Sequence, residues 1–507
     1  MMPESPPLKI EIRGEYALPA IIFLLAAVLL FSNLWIGDLG LDSAAYATIS
    51  RAVLRTHDWL VPHYEHCAEF QDCWLHPPLF YWMTAASFKV FGVTEFAARF
   101  VSALLGLGTI LLVYAIGARA AGSRKAGFLA AFVLLSTQPF LELGRKCQID
   151  VPLAFFLTLA VYFFLRTVGG KKIFFLAAGA AAGLATLTKG LPALGILGVV
   201  GFYFLLRGDL KFFVSLRLLL LACGFLLALA LWIVPLALAG RFDEFVRAYF
   251  GGQIWGVLTG GARAAGARQG LFAGGLKDYL WYVGALAQRY WPWLPFLALS
   301  IPLALKKRKE RPFGAVFLLW GLVFLLFFSA ASLKFFRYMA PLYPAFALLI
   351  GTTLGDKLSD ASFRKLVNAS AALLGILLLA VALFPLYFGR INAPDKTEIK
   401  AMAPYIRLLV GPAETVAVHG LNYWTTVADF AFYVDRPVRA LDADGDFLAA
   451  LRDGERYGYL TRAAYESLAP DVRASLPPLI RTKSFVLVTN AGNRDEQLKR
   501  IVPFPLF

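Results

Sequence analysis

For about 390 residues the chain alternates long apolar runs with short charged interruptions, and then its pattern changes. The runs approach the roughly 20 residues a helix needs to cross a bilayer. They predict spans at 16–36, 96–118, 126–143, 151–165, 173–187, 191–206, 218–239, 291–305, 313–329, 338–354 and 367–388, about eleven crossings. In lipid every backbone polar group must be paired within its own segment, so each span is expected to be helical. The tail, 391–507, has a shorter rhythm. Helix-like stretches at 396–409 and 445–452 are interleaved with strand-like 415–418, 431–434, 458–460 and 485–489. The pattern predicts an all-α polytopic membrane domain over 1–390 and a small α/β soluble domain over 391–507. No internal repeat or low-complexity tract is visible.

Composition sharpens this division. Hydrophobic residues make up 59% of the 507 and charged residues 16%, against about 25% charged in soluble domains. That excludes a disordered chain, a collagen and a small disulfide scaffold. The net charge is +16, yet the tail holds 14 basic and 14 acidic residues, so the whole excess lies in the membrane domain. Cations dispersed over short loops argue against a nucleic-acid partner. The basic clusters are Arg119/Arg124/Lys125, Arg166/Lys171/Lys172, Arg207/Lys211/Arg217, Lys306–Lys309 with Arg311, and Lys357/Arg364/Lys365. They fall on alternate loops, which are therefore assigned to the cytoplasm. The N-terminus is then inside, the first span is a retained anchor, and the tail lies on the outer face of a cytoplasmic (inner) membrane. Loops 37–95 and 240–290 and the turns at 145–150 and 331–337 share that outer side.

Three outer features could carry chemistry. Asp42 precedes a helical pattern in the first loop. It either caps that helix or holds a carboxylate at the water–lipid boundary, where it can take a proton from an acceptor hydroxyl. Further along lie His57, His63, His66 and His76, with Cys67 and Cys73 among aromatic residues and prolines. His63, His66 and His76 are a possible divalent-metal set, although their spacing matches no standard zinc pattern. A Cys67–Cys73 disulfide and an ordinary interfacial loop compete with that reading. Beyond such a metal, the sequence names no cofactor. The third feature is a group of cations that run against the positive-inside trend: Arg145 near Asp150, Lys189 between two spans, and Lys334 and Arg337 beside Tyr338. Each can anchor by snorkelling; together they suggest phosphate recognition. A polyprenyl-phosphate sugar fits such a face. Its tail lies in lipid, its phosphate is a leaving group stabilised by nearby positive charge, and a single base activates the incoming oxygen.

Five segments recur in the order of a known family: Asp42-Ser43-Ala44-Ala45-Tyr46, the stretch from His76 to Trp82, the stretch from Ile149 to Phe156, Leu187-Thr188-Lys189-Gly190-Leu191-Pro192, and the stretch from Ser332 to Pro341. Over roughly residues 15–390 the chain resembles the GT-C type integral-membrane glycosyltransferases, in the branch of the lipid A aminoarabinose transferases and protein O-mannosyltransferases. The resemblance implies that a monosaccharide passes from a polyprenyl-phosphate donor to a lipid, glycan or protein acceptor. It implies catalytic roles for Asp42 and Asp150, with Asp150 orienting the acceptor or binding a metal. It also implies donor-phosphate contacts from Lys334 and Tyr338. His76 stands where many relatives have Lys and is a weaker anion partner. Arg263 and Arg268 are the positions offered in the second large loop. The rival class is a transporter or flippase for an amphipathic lipid-linked anion. It calls for ionisable groups midway along spans and for inverted repeats.

Overall fold

The computed structural model describes residues 16–64, 74–167, 170–254, 275–306, 312–331, 334–383, 398–421 and 426–489. The apolar runs fold as helices, the one form that pairs their backbone internally. In chain order the main ones are α1 (Ala17–Phe31), α2 (Leu41–Thr56), α3 (Leu79–Phe91), α4 (Glu95–Ala121), α5 (Arg124–Leu135), α6 (Gln138–Gly144), α7 (Asp150–Arg166), α8 (Ile173–Lys189), α9 (Gly195–Leu206) and α10 (Leu216–Leu238). After short helical segments come α11 (Trp281–Arg289), α12 (Leu294–Lys306), α13 (Pro312–Ala330), α14 (Tyr343–Lys357) and α15 (Asp360–Leu383). Among the described residues α4, α10, α13 and α15 are long and apolar enough to cross a bilayer, and Ala17–Phe31, Ile173–Lys189, Leu191–Leu206 and Leu294–Lys306 are shorter apolar helices. The chain is a multi-pass membrane protein.

The span expected at 126–143 is not one straight helix: α5 and α6 meet at a bend of 70°. The break falls at Ser136 and Thr137, whose hydroxyls turn back to the carbonyls of Phe132 and Val133. Pro139, one residue into α6, has no N–H to continue the ladder. Within the loop expected at 37–95 lie α2, the helix expected after Asp42, and α3.

Close helix contacts hold the bundle together, as expected where lipid supplies no hydrophobic drive between helices. α8 and α10 touch backbone to backbone. A Cβ at Gly179 would overlap the Leu221 carbonyl, and one at Gly224 would overlap that of Leu176. Gly224→Val is therefore expected to abolish recovery of monodisperse protein, whereas Gly198→Val, with nothing within 4 Å of its added Cβ, should purify like the parent. Size-exclusion profiles in detergent check this.

The tail contains α16 (Ile399–Leu409), β1 (Val416–His419), α17 (Thr426–Val434), β2 (Val438–Leu441), α18 (Asp444–Arg452), β3 (Tyr457–Thr461), β4 (Pro478–Arg481) and β5 (Phe485–Thr489). Its sheet runs β2-β1-β3-β5-β4. The first three strands are parallel, and β5 is antiparallel to both β3 and β4. This is the expected α/β architecture, with one correction. Residues 431–434, expected as strand, close helix α17. Val427, Phe430, Ala431 and Val434 are all buried at the three-and-four spacing of a helix face, which a four-residue window does not register. The boundary expected at 390/391 lies outside the described residues.

Candidate active site

The site forms where helix ends meet. α2 starts at Gly40, whose φ of +58° suits glycine. Gly40 occupies the N-cap position, so Asp42 is not the cap. It sits in the first turn of α2 and is 6% exposed. Its carboxylate pairs with the guanidinium of Arg337, which belongs to the short turn Phe336–Met339 ahead of α14. Tyr282 Oη holds this turn, standing 3.3 Å from both the N–H and the carbonyl oxygen of Phe335. The Arg337 guanidinium lies 4.4 Å from the centre of the Phe335 ring and 5.8 Å from that of Tyr338.

A second ion pair lies beside the first. Asp150 opens α7, Lys189 closes α8, and Lys189 Nζ donates to Asp150 Oδ1. Both are buried. The other carboxylate oxygen, Oδ2, has no hydrogen-bond partner. Lys189 Nζ also stands 4.5 Å from the centre of the Tyr338 ring. Tyr338 thus links the two pairs, and Asp42, Arg337, Tyr338, Lys189 and Asp150 form one cluster drawn from α2, α7, α8 and the turn before α14. Behind Lys189, Gly190 turns with φ +77°, and any side chain there would strike the Tyr249 hydroxyl. This accounts for glycine at position 190.

His76 and Tyr46 line the same cluster, His76 Nε2 lying 3.5 Å from Tyr46 Oη. Burial, with Lys189 and Arg337 close by, holds the His76 imidazole well below its ordinary pKa. His76 is therefore neutral and offers a hydrogen bond rather than a charge. Burial and the nearby Asp42 push the Tyr46 phenol up, so it stays protonated.

Two expected phosphate ligands are engaged elsewhere. Arg145 donates to the carbonyls of Leu29 at 2.6 Å and Ser32 at 2.5 Å, closing the C-terminal end of α1. Lys334 donates to the carbonyls of Phe328 (3.2 Å), Ser329 (2.5 Å) and Ala331 (2.5 Å), closing the end of α13. Unsatisfied carbonyls at a helix C-terminus also attract a cation. His63 also has a partner of its own, Asp58, at 2.7 Å. Arg263, Arg268, His66, Cys67 and Cys73 lie outside the described residues. Among the described residues no three His, Cys, Asp or Glu side chains converge. His76 faces two cations and both site carboxylates carry one, a donor set that does not fit a divalent metal. Tyr46 and Tyr282 were missed in the sequence. Tyr46, four residues after Asp42, shares its helix face, which was the available signal; Tyr282 carried none.

The fold and this site define a class: the chain has the fold of the GT-C integral-membrane glycosyltransferases. Residues 75–237 match the family described as dolichyl-phosphate-mannose-protein mannosyltransferase. The undecaprenyl phosphate-alpha-4-amino-4-deoxy-L-arabinose arabinosyl transferase of Aeromonas hydrophila is 29% identical over 357 residues, which is 68% of this chain and 62% of that protein. ArnT from Cupriavidus metallidurans, solved with bound undecaprenyl phosphate, superposes with a TM-score of 0.72 at 20% identity, covering 95% of this chain and 99% of that one. The oligosaccharyltransferase of Archaeoglobus fulgidus superposes with a TM-score of 0.56 at 14% identity, over 89% of this chain and 70% of its own. The resemblance carried by the five sequence motifs is thus found again in whole-chain comparison. The site charges lie at helix ends and turns rather than midway along spans, unlike the arrangement a transporter calls for.

Proposed function

We propose that the chain is a glycosyltransferase that moves a monosaccharide from a polyprenyl-phosphate donor to a lipid, glycan or protein hydroxyl at the outer face of the cytoplasmic membrane. The N-terminus is inside and the C-terminal domain outside. One observation carries the reading: two carboxylates from distant parts of the chain meet Arg337, Lys189 and Tyr338 in a single cluster at helix termini. Structural ion pairs alone do not account for this, because buried pairs add little net stability.

In the absence of donor, Arg337 neutralises Asp42. A donor phosphate competes for that guanidinium, and planar, two-pronged recognition of phosphate is what Arg does best. Asp42 is then free to act. The acceptor oxygen attacks the anomeric carbon as the bond from that carbon to the phosphate oxygen breaks. The electron pair leaves on the phosphate, and Asp42 takes the acceptor's proton. Arg337, Lys189 and the Tyr338 hydroxyl stabilise the charge growing on the leaving phosphate. Asp150 acts through Lys189, holding the ammonium in place. His76 and Tyr46 contribute neutral hydrogen-bonding groups to the wall.

The test is turnover by detergent-purified protein given a synthetic short-chain polyprenyl-phosphate sugar and no ion gradient. Release of polyprenyl phosphate coupled to sugar on an acceptor is the expected result. Absence of release across a panel of lipid-linked sugars, together with gradient-dependent uptake in proteoliposomes, would favour the transporter instead.

A further inference from the structure

The C-terminal domain is built into the wall of the active site. Its α17 packs on α2, the helix that carries Asp42. A continuous apolar core runs from Ala44, Tyr46, Ile49 and Val53 of α2 into Val427 and Phe430 of α17. Polar contacts at both ends of α2 fix the register. At the far end, Arg51 is 4% exposed and donates to the carbonyls of Ala431 at 2.8 Å and Phe432 at 2.9 Å. These are last-turn carbonyls of α17, which need such a donor. Arg55 forms a two-pronged pair with Asp435 at 2.7 and 2.8 Å.

The near end matters more. The Leu39 N–H donates to Tyr433 Oη at 2.8 Å. The carboxyl group of Asp429, only 2% exposed, lies against Gly40, whose N–H favours its charged form. Gly40 is the residue on which α2 begins, and no side chain of α2's own caps that end. Asp42 follows two residues later. α17 therefore sets polar side chains against the backbone that leads into α2, at the turn that aims Asp42 toward Arg337. Arg99 of α4 grips the incoming chain through the carbonyls of Leu34, Ile36, Gly37 and Asp38. Lys400 of α16 pairs with Glu95 at the start of α4. The first loop is thus clamped between α4 and the C-terminal domain.

We propose that α17 is a positioning element of the active site, with Tyr433 bonding Leu39 and Asp429 packing on Gly40 to set the direction of Asp42. This rests on the reading of Asp42 as the base. Neither residue touches the cluster itself, so their effect is on rate and not on donor capture. Burial, with Asp38 nearby, pushes the Asp429 carboxyl up to about 8. The acid is then mostly uncharged at pH 7, a state an amide can reproduce beside Gly40.

The experiment is steady-state kinetics on the full-length chain with a synthetic polyprenyl-phosphate sugar. The variants are Asp429→Leu, Asp429→Asn, Tyr433→Phe and the Asp429→Leu/Tyr433→Phe double, with melting in detergent followed in parallel. Asp429→Leu is expected to lower kcat by tenfold or more with donor KM changed by less than threefold. Asp429→Asn should recover most of that kcat, and the double variant should be slower than either single. Two results would overturn the proposal: full kcat in the folded double variant, or a fall in kcat that Asp429→Asn shares equally. If Asp429→Leu fails to fold, the kcat of Asp429→Asn and Tyr433→Phe decides: Tyr433→Phe slower at constant donor KM supports the clamp, and unchanged kcat overturns it. Asp42→Asn is run alongside. Turnover retained by Asp42→Asn rejects the base assignment, whereas loss of turnover in Asp42→Asn with full kcat in the α17 double variant rejects the clamp alone.

Discussion

Replacing Asp42 by Asn is expected to lower sugar transfer by about 10²–10⁴-fold, the range a positioned general base contributes, while the protein remains folded. Asn keeps the size of the side chain and loses its charge and its basicity. The fold should tolerate this because the Arg337 side chain is 25% exposed and water can reach the guanidinium once its partner is gone. The kinetic signature is specific. In the parent, donor phosphate must displace Asp42 from Arg337; in the variant it does not. Donor KM should therefore stay level or fall while kcat collapses, the pattern of a group that acts in the transition state and opposes ground-state binding. Retained kcat in folded Asp42→Asn would remove Asp42 from the mechanism. A rise in donor KM with kcat intact would make it a binding residue.

The second large effect concerns Asp150 and Lys189. Both are buried, and the Lys189 ammonium lies over the Tyr338 ring. Removing one partner leaves a bare charge, a loss of about 3–5 kcal/mol. Asp150→Leu and Lys189→Met should each melt far below the parent in detergent. The double variant Asp150→Leu/Lys189→Met removes both charges together and should recover most of that stability, since an apolar pair of similar volume replaces a buried ion pair at little net cost. It should nonetheless bind donor poorly, with KM raised tenfold or more, because Lys189 is one of two cations available to the phosphate. The two readouts separate the structural role of the pair from its role toward substrate. A double variant as unstable as the singles would show that the site lacks room for apolar replacements. Unchanged donor KM in the folded double would leave Arg337 as the sole phosphate ligand.

The cations show where sequence reasoning succeeds and where it stops. Arg145, Lys189, Lys334 and Arg337 look alike as charges on the outer side of apolar runs, and each was expected to serve a phosphate. Lys189 and Arg337 meet carboxylates in the cluster, whereas Arg145 and Lys334 close the ends of α1 and α13. A helix C-terminus and a phosphate both present oxygen to a cation, so residue type and membrane side do not distinguish them. The histidines behave likewise. Their clustering suggested a metal; His63 bonds to Asp58, His76 faces Lys189 and Arg337, and His66 lies outside the described residues. In the tail, strands β1 and β5 were legible from their Val-rich runs and β3 from its aromatic residues. β2 and β4, with mixed burial, were not, and α17 was taken in part for a strand.

Apolar run length and loop charge are local properties read along one dimension, and they suffice for a many-helix membrane body and a neutral α/β tail. The order of the five motifs sufficed for the resemblance to GT-C enzymes. Which charges face one another is a different matter. Asp42 and Arg337 are nearly three hundred residues apart, and Asp429 reaches Gly40 across an even longer stretch. Such pairings depend on how helices cross and which ends meet, and a linear pattern of hydrophobicity carries no information about either. The cluster at the helix ends, the reassignment of Arg145 and Lys334, and the grip of α17 on the first turn of α2 all come from packing alone.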